Sequence, residues 1–183
     1  MIEIRAEHLH DVPARERLLD ACFPGNRRAK TSERLREGRL PARGLALAAT
    51  RRGRLVGTLR LWHVETGDAR PALLLGPLAV DPAIQGQGLG SVMMQAALGR
   101  AESLGHGAVL LVGDAPYYAR FGFDRALADG LTLPGPFERA RFLGLELRAG
   151  ALAGAEGLVR ATGVLSPAGA VANEAGVARR RAA

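Results

Sequence analysis

Apolar and polar positions alternate over Met1 to Arg5, and that two-residue period predicts a first strand. Asp11 stands where a helix cap is needed and Pro13 suits a first turn, so a helix is predicted over Val12 to Cys22. Phe23-Pro24-Gly25-Asn26 breaks it, and Thr31 to Arg36 reads as a short polar helix. Gly44 to Arg51 and Arg54 to Val64 flank Arg52-Gly53 and predict a hairpin, with Trp62 packing from its second strand. A third strand, Pro71 to Val80, follows the turn at Thr66-Gly67-Asp68. Pro77 has no N–H for a ladder, so inside this strand it signals either a bulge or an edge; Gly76 beside it supports the bulge.

The most informative stretch runs from Leu73 to Leu104. An apolar strand ends at Asp81-Pro82, a glycine-rich loop follows, and then Leu89, Val92, Met93, Ala96, Ala97, Ala101 and Leu104 recur at steps of three and four. That spacing predicts an amphipathic helix with Gly105 as its stop. The first amides of a helix have no carbonyl partner and carry the positive end of the helix dipole, so a phosphate group suits them. Glycine at alternate positions in Gln85-Gly86-Gln87-Gly88-Leu89-Gly90-Ser91 removes side chains where backbone meets a ligand, and Ser91 adds a hydroxyl. No lysine completes a Walker A loop. Neither Ser91 nor Met93 supplies the third glycine of a dinucleotide fingerprint, and no acidic residue ends a next strand. A glycine-rich turn without a ligand is the bland alternative.

The pattern that fits is Q/R-x-x-G-x-G, met by Gln85, Gly88 and Gly90. Here the chain resembles the GNAT superfamily of acyl-CoA-dependent N-acetyltransferases. The resemblance implies that the backbone from Gln85 through Gly86, Gln87, Gly88, Leu89 and Gly90 to Ser91 binds the coenzyme A pyrophosphate. It also implies a bulged strand whose splay admits the pantetheine arm along Leu78, Ala79 and Val80, with free backbone groups at Leu78 and Val80. After a further strand, Ala108 to Val112, the segment from Asp114 to Phe123 repeats the family's tyrosine before a hydrophobic-Gly-Phe ending. Tyr118, four residues before Gly122, takes the family's place for a general acid, with Tyr117 as its neighbour facing another way. Pro116 suits the first turn of a short helix that Gly122 ends, and Phe123 opens the next strand. The implied fold is α/β: a mixed, mostly antiparallel sheet with a V-shaped split between its central strands and helices on both faces.

Thr132 to Phe137 reads as a loop, Phe142 to Leu147 as a strand and Gly157 to Thr162 as one more short strand. Residues 1–165 are expected to form one domain, and 166–183, rich in Ala, Gly and Arg, a loose tail. With 183 residues and 48% hydrophobic content, the chain has enough for a sizeable core. No apolar run is long enough for a bilayer, the start of the chain lacks a signal peptide's pattern, and one cysteine, Cys22, forms no internal disulfide. A cytoplasmic protein, monomer or homodimer, without membrane or nucleic-acid partners is expected. The net charge of +7 comes from arginines spread along the chain, and aromatics at 4% are too few for base stacking. A basic bias also suits an anionic cofactor.

The implied reaction moves an acetyl group from acetyl-CoA, as cosubstrate, to a primary amine of a small molecule or peptide by direct attack. Tyr118, with an ordinary phenol pKa near 10, is protonated at neutral pH and able to donate to the leaving thiolate. His63 and Glu65 are both open as proton acceptors from the amine. His8, His10 and His106 show no metal-ligand spacing. A module of the same fold that binds acyl-CoA without turnover is the alternative function.

Overall fold

The structure is a computed structural model and describes residues 1–25 and 27–167. The strands in chain order are β1 (Ile2–Ala6), β2 (Ala46–Arg51), β3 (Arg54–Glu65), β4 (Pro71–Val80), β5 (Ala108–Val112), β6 (Leu131–Thr132), β7 (Phe142–Glu146), β8 (Gly157–Leu158) and β9 (Arg160–Ala161). The helices are α1 (Val12–Cys22), α2 (Leu89–Ser103) and α3 (Ala115–Ala119). One seven-stranded sheet runs in the order β1-β2-β3-β4-β5-β7, with β9 also paired to β3. Its pairings are antiparallel except between β4 and β5. This is the mixed, mostly antiparallel sheet expected from the sequence.

Helices cover both faces. On one, Met93, Met94, Ala97 and Ala101 of α2 bury against Leu47, Leu59, Leu61, Leu73 and Val109. Gly57 on β3 lets the helix approach, since a Cβ there would stand 2.7 Å from the Met93 sulfur. On the other, Leu18 and Leu19 of α1 pack over Ala48, Leu55 and Ala79, while Trp62, Leu74 and Leu110 meet Leu131, Phe142 and Leu152. Central strands buried on both sides are why β4 and β5 read as near-continuous apolar runs.

Several expectations need correction. The buried stripe of α2 runs through Met93 and Met94, which leaves Val92 (52% exposed) and Leu104 (54% exposed) outside. Asp11 occupies the cap position of α1, yet its carboxylate accepts from Arg5 (2.7 and 2.9 Å) and from the His8 amide (2.8 Å), not from the helix. The Arg5 guanidinium holds that carboxyl well below the usual carboxylate range. Phe123 opens no strand. Asp124 exchanges backbone bonds with Gly144 (2.8 and 2.9 Å), then its carboxylate accepts from the Ala126 amide (2.8 Å) and starts a 3-10 turn, so pairing stops at one bridge. The polar segment after α1 is 3-10 over Thr31–Leu35. The single strand expected over residues 157–162 divides into β8, paired to β6, and β9, paired to β3. Ser166 donates to the Gly38 carbonyl through its amide (2.9 Å), so the expected tail is tied down at its start; residues 168–183 lie outside the described residues.

β4 carries the feature that positions the site. Leu61 pairs with Leu75 and Leu59 with Leu78, so Gly76 and Pro77 together face Arg60 alone. That is a bulge in a central strand, and the edge-strand reading of Pro77 falls away. The Gly76-Pro77 peptide is cis. The buried Trp62 indole on β3 donates to the Gly76 carbonyl at 2.6 Å and ties the bulge to its neighbour. Trp62→Phe keeps the ring's bulk and leaves that carbonyl without its partner. A loss of about 1–3 kcal/mol of stability is expected, read by urea denaturation followed by circular dichroism, because the variant has no tryptophan to report.

Candidate active site

β4 and β5 pair only at Leu73–Val109 and Leu74–Leu110. Beyond the bulge they part, and the edge of β4 that faced β5 becomes free. Backbone groups alternate sides along a strand. The Asp81 amide donates to Val56 on β3 (2.9 Å), so Ala79 also turns toward β3, while Leu78 and Val80 turn into the split. Ala79, expected among the cofactor residues, is buried against α1 with its backbone committed to the ladder. The Val80 carbonyl is not free either. It accepts from the Cys22 thiol (3.2 Å) and from the Gln85 side-chain amide (2.9 Å). The Val80 amide and both backbone groups of Leu78 remain on the open side. Burial pushes the Cys22 thiol up, which suits a structural donor and not a nucleophile.

The glycine-rich loop is held at both ends. Asp81 is paired with Arg54 and its carboxylate also accepts from the Ala83 amide (3.0 Å). Ile84 is buried in the core, and Gln85 reaches back to β4. Gly86 (φ 78) and Gly88 (φ 85) adopt left-handed backbone, and Gly88 caps α2. The open amides at the start of α2 face a cleft of about 360 Å³ bordered by Gln85, Gly86, Gly88, Leu89, Gly90 and Ser91, with Leu78 and Val80 of β4. Gln87 does not border it; that residue lies on the opposite side of the loop, beside Ile2, Ile4 and Val92. A Cβ on Gly90 would stand 3.0 Å from the Tyr117 hydroxyl, so glycine is what allows α3 to close over the helix start.

α3 follows from its first residues. Asp114 accepts from the Tyr117 amide (3.2 Å) and Pro116 fills the first turn. Tyr117 borders both the cleft at the start of α2 and a second cavity of about 270 Å³ at the mouth of the split. Tyr118 borders only the second, deeper cavity, beside Leu75, Gly76, Pro77 and Leu78. Its ring meets Tyr117 (4.9 Å) and Phe123 (5.9 Å) edge-on. A Cβ on Gly113 would overlap it, 2.2 Å from Cε2. Burial pushes the Tyr118 phenol up to about 12; Tyr117 and Asp114 push the same way, and Arg141 opposes them. The two cavities share Leu78 and Tyr117. The two cavities therefore adjoin along the split: an amide cradle at one end, an open strand edge between them, and a half-buried phenol at the other end.

Comparison with known proteins agrees with this geometry. Residues 12–123 match the model of the acetyltransferase (GNAT) family, a span that contains the bulge, the loop and α3. The chain belongs to the GNAT acetyltransferase family. It is 32% identical over 157 residues to the uncharacterized N-acetyltransferase YhbS of Escherichia coli strain K12, covering 85% of this chain and 93% of that one. The solved structure of E. coli YhbS in complex with CoA superposes with a TM-score of 0.75 at 33% identity, over 87% of this chain and 89% of that one. A GNAT family acetyltransferase from Brucella melitensis, in complex with acetyl-CoA, gives 0.63 at 27% identity, over 80% of this chain and 88% of that one.

Within this GNAT frame, some sequence candidates fall away from the groove and others enter it. His63 and Glu65 sit where β3 pairs the early residues of β4, Leu73 and Pro71, and neither borders the cavity. His63 instead faces the ring of His106 at 5.4 Å. Residues missed by sequence reasoning come from the segment after α1: Lys30, Glu33 and Arg36 line the cavity, joined by Arg141 from before β7. Arg120, stacked on Tyr117 at 4.4 Å, borders the cleft at the start of α2. The density of cations at Arg27, Arg28 and Lys30 was the available signal, but charge alone does not say which way a segment folds.

The Tyr118 environment has a direct readout. Its folded pKa is raised, so its contribution to stability is complete below an unfolded phenol's value near 10 and is lost as pH rises toward about 12. Ultraviolet titration of the folded protein is expected to show a phenol ionising near 12 that disappears in Tyr118→Phe.

Proposed function

We propose that this acetyltransferase moves an acetyl group from acetyl-CoA to a primary amine by direct attack, on a catalytic domain formed by residues 1–165. The observation that carries the reading is the shared groove: Leu78 and Tyr117 border both the amide cradle and the cavity that holds the Tyr118 phenol. One elongated molecule with a diphosphate at one end and a reactive group at the other fits that shape. The amides of Gly86 and of Gly88 to Ser91 take the diphosphate, with Arg120 beside them. The outward backbone of Leu78 and Val80 aligns the arm as an added strand would be aligned. The Leu78 amide is the donor placed to polarise a carbonyl at the bend of the groove.

The protein's part in the reaction is mainly to hold two reactants together. The acceptor ammonium loses one proton, and the freed nitrogen pair forms a bond to the acetyl carbon. The C–S bond breaks with its electron pair on sulfur, a second proton leaves nitrogen, and one proton goes to the thiolate. Tyr118 donates a hydrogen bond to that sulfur. A phenol held near 12 is a weaker acid than a thiol near 8.5, so complete proton transfer would run uphill by roughly 5 kcal/mol. Hydrogen bonding to the growing charge carries no such cost, and solvent completes the protonation.

Two variants test the reading. In Gly88→Asp the side chain meets no neighbouring atom but sits on left-handed backbone (φ 85), a strain that Gly88→Asn shares, and only the aspartate sets a carboxylate against the diphosphate. Calorimetry is expected to show acetyl-CoA affinity reduced on the order of tenfold or more, with Gly88→Asn, the uncharged control, much closer to wild type. Tyr118→Phe is expected to lower kcat about a hundredfold with little change in acetyl-CoA affinity, measured as CoA released over an amine panel. Binding of acetyl-CoA without release for any amine would mark the protein as an acyl-CoA sensor.

A further inference from the structure

The acceptor end of the groove is built for charge of a definite sign. Four cationic side chains, Arg27, Lys30, Arg36 and Arg141, border the cavity against two carboxylates, Glu33 and Asp114. Asp114 is occupied at the start of α3, and Arg27 is neutralised by Glu16 and by Asp20 (2.8 Å). Of the other three, Arg36 has one close carboxylate, and Lys30 and Arg141 are poorly balanced. Arg36 is 8% exposed, has Glu33 as its ion-pair partner (2.9 Å) and reaches Ser32 (3.2 Å), while its buried Nε has no hydrogen-bond partner. One of its terminal nitrogens lies 3.5 Å from where a Cβ on Gly76 would be, so the guanidinium stands against the bulge. Among the described residues Lys30 has no carboxylate partner, and Arg141 has only Glu138 at 3.7 Å. An anionic group that enters the cavity therefore meets the positive charge of Lys30 and Arg141 beside the Arg36 guanidinium.

The diphosphate of the cosubstrate does not supply that anion, because its cradle lies at the other end of the groove. We propose that the acceptor is an amino acid whose free carboxylate is held by Arg36, Lys30 and Arg141 while its amine faces the acetyl carbonyl near Leu78. The spacing limits the molecule. Gly76 and Leu78 are two residues apart on one strand, at most about 7 Å, so amine and carboxylate are separated by only a few bonds. Glu33 borders both this cavity and a larger hollow of about 680 Å³ beyond Pro77, where it meets the incoming ammonium and where an amino acid side chain has room. A guanidinium fork binds a flat carboxylate through two parallel hydrogen bonds.

The proposal deepens the acetyl-transfer reading and rests on it for turnover, but its binding step is measured separately. Each common amino acid is compared with its decarboxylated amine, such as alanine with ethylamine and lysine with cadaverine, and phosphoethanolamine is included as the phosphate-bearing amine. CoA release gives kcat/KM, and calorimetry on the CoA-loaded protein gives acceptor affinity. At least one amino acid is expected to exceed its decarboxylated partner on the order of tenfold to a hundredfold in both. Lys30→Gln, at an exposed position, and Arg36→Gln are expected to shrink that ratio toward one through KM, with acetyl-CoA affinity reporting that each variant is folded. Equal use of both members of every pair, or preference for phosphoethanolamine, overturns the proposal and leaves acetyl transfer standing. Amino acid binding without CoA release overturns acetyl transfer and leaves the carboxylate site standing.

Discussion

The interruption of pairing between β4 and β5 is the constraint from which the site follows. Two strands that continued in register past Leu74 and Leu110 would leave no edge for a ligand and no cavity. The bulge at Gly76-Pro77 ends that register, and the Trp62 indole holds the bulge in place from the neighbouring strand. Pairing with β3 resumes at Leu59–Leu78, so β4 stays in the sheet on one side and is open on the other. A strand so divided remains stable because its β3 edge is satisfied and both faces around it are buried.

Around that opening, the turn and α3 are held by specific contacts. The glycine-rich turn is fixed by Arg54 with Asp81, by the buried Ile84 and by the Gln85 bond to Val80. Gly90 and Gly113 do related work: each removes a side chain where a tyrosine of α3 must come close. The outcome is that Tyr117 covers the helix start while Tyr118 turns into the dry end of the groove, though they are adjacent in sequence. Partial burial of Tyr118 raises its phenol, which therefore stays protonated at neutral pH.

The acceptor end has a different character from the cofactor end. Backbone amides and glycines dominate one, long charged side chains the other. The first recognises a group common to a whole family of reactions. The second varies with the segment after α1 and the approach to β7, which lie far apart in the chain and meet across the split. The side chains that line this cavity thus lie outside the glycine-rich loop and the tyrosine segment of α3.

Sequence periodicity was enough to locate α1, β4 and β5, whose ends agree with the observed elements, because their apolar spacing and their Pro and Gly boundaries are local signals. It was also enough to suggest the bulge and the glycine-rich turn before α2, since proline's missing N–H and glycine's freedom act within a few residues. Packing decided what spacing left open. Which of Val92 and Met94 is buried depended on where α2 meets the sheet, and whether Phe123 began a strand depended on β7 having taken the place beside β5. Asp11 had a helix within reach and took Arg5 instead, as a charged donor binds a carboxylate more strongly than an amide does. The removal of Ala79 and Gln87 from the groove, and the entry of Arg36, Lys30 and Arg141 into it, rested on strand alternation and on contacts between distant segments. Those are properties of three-dimensional register, and no local pattern of residues encodes them.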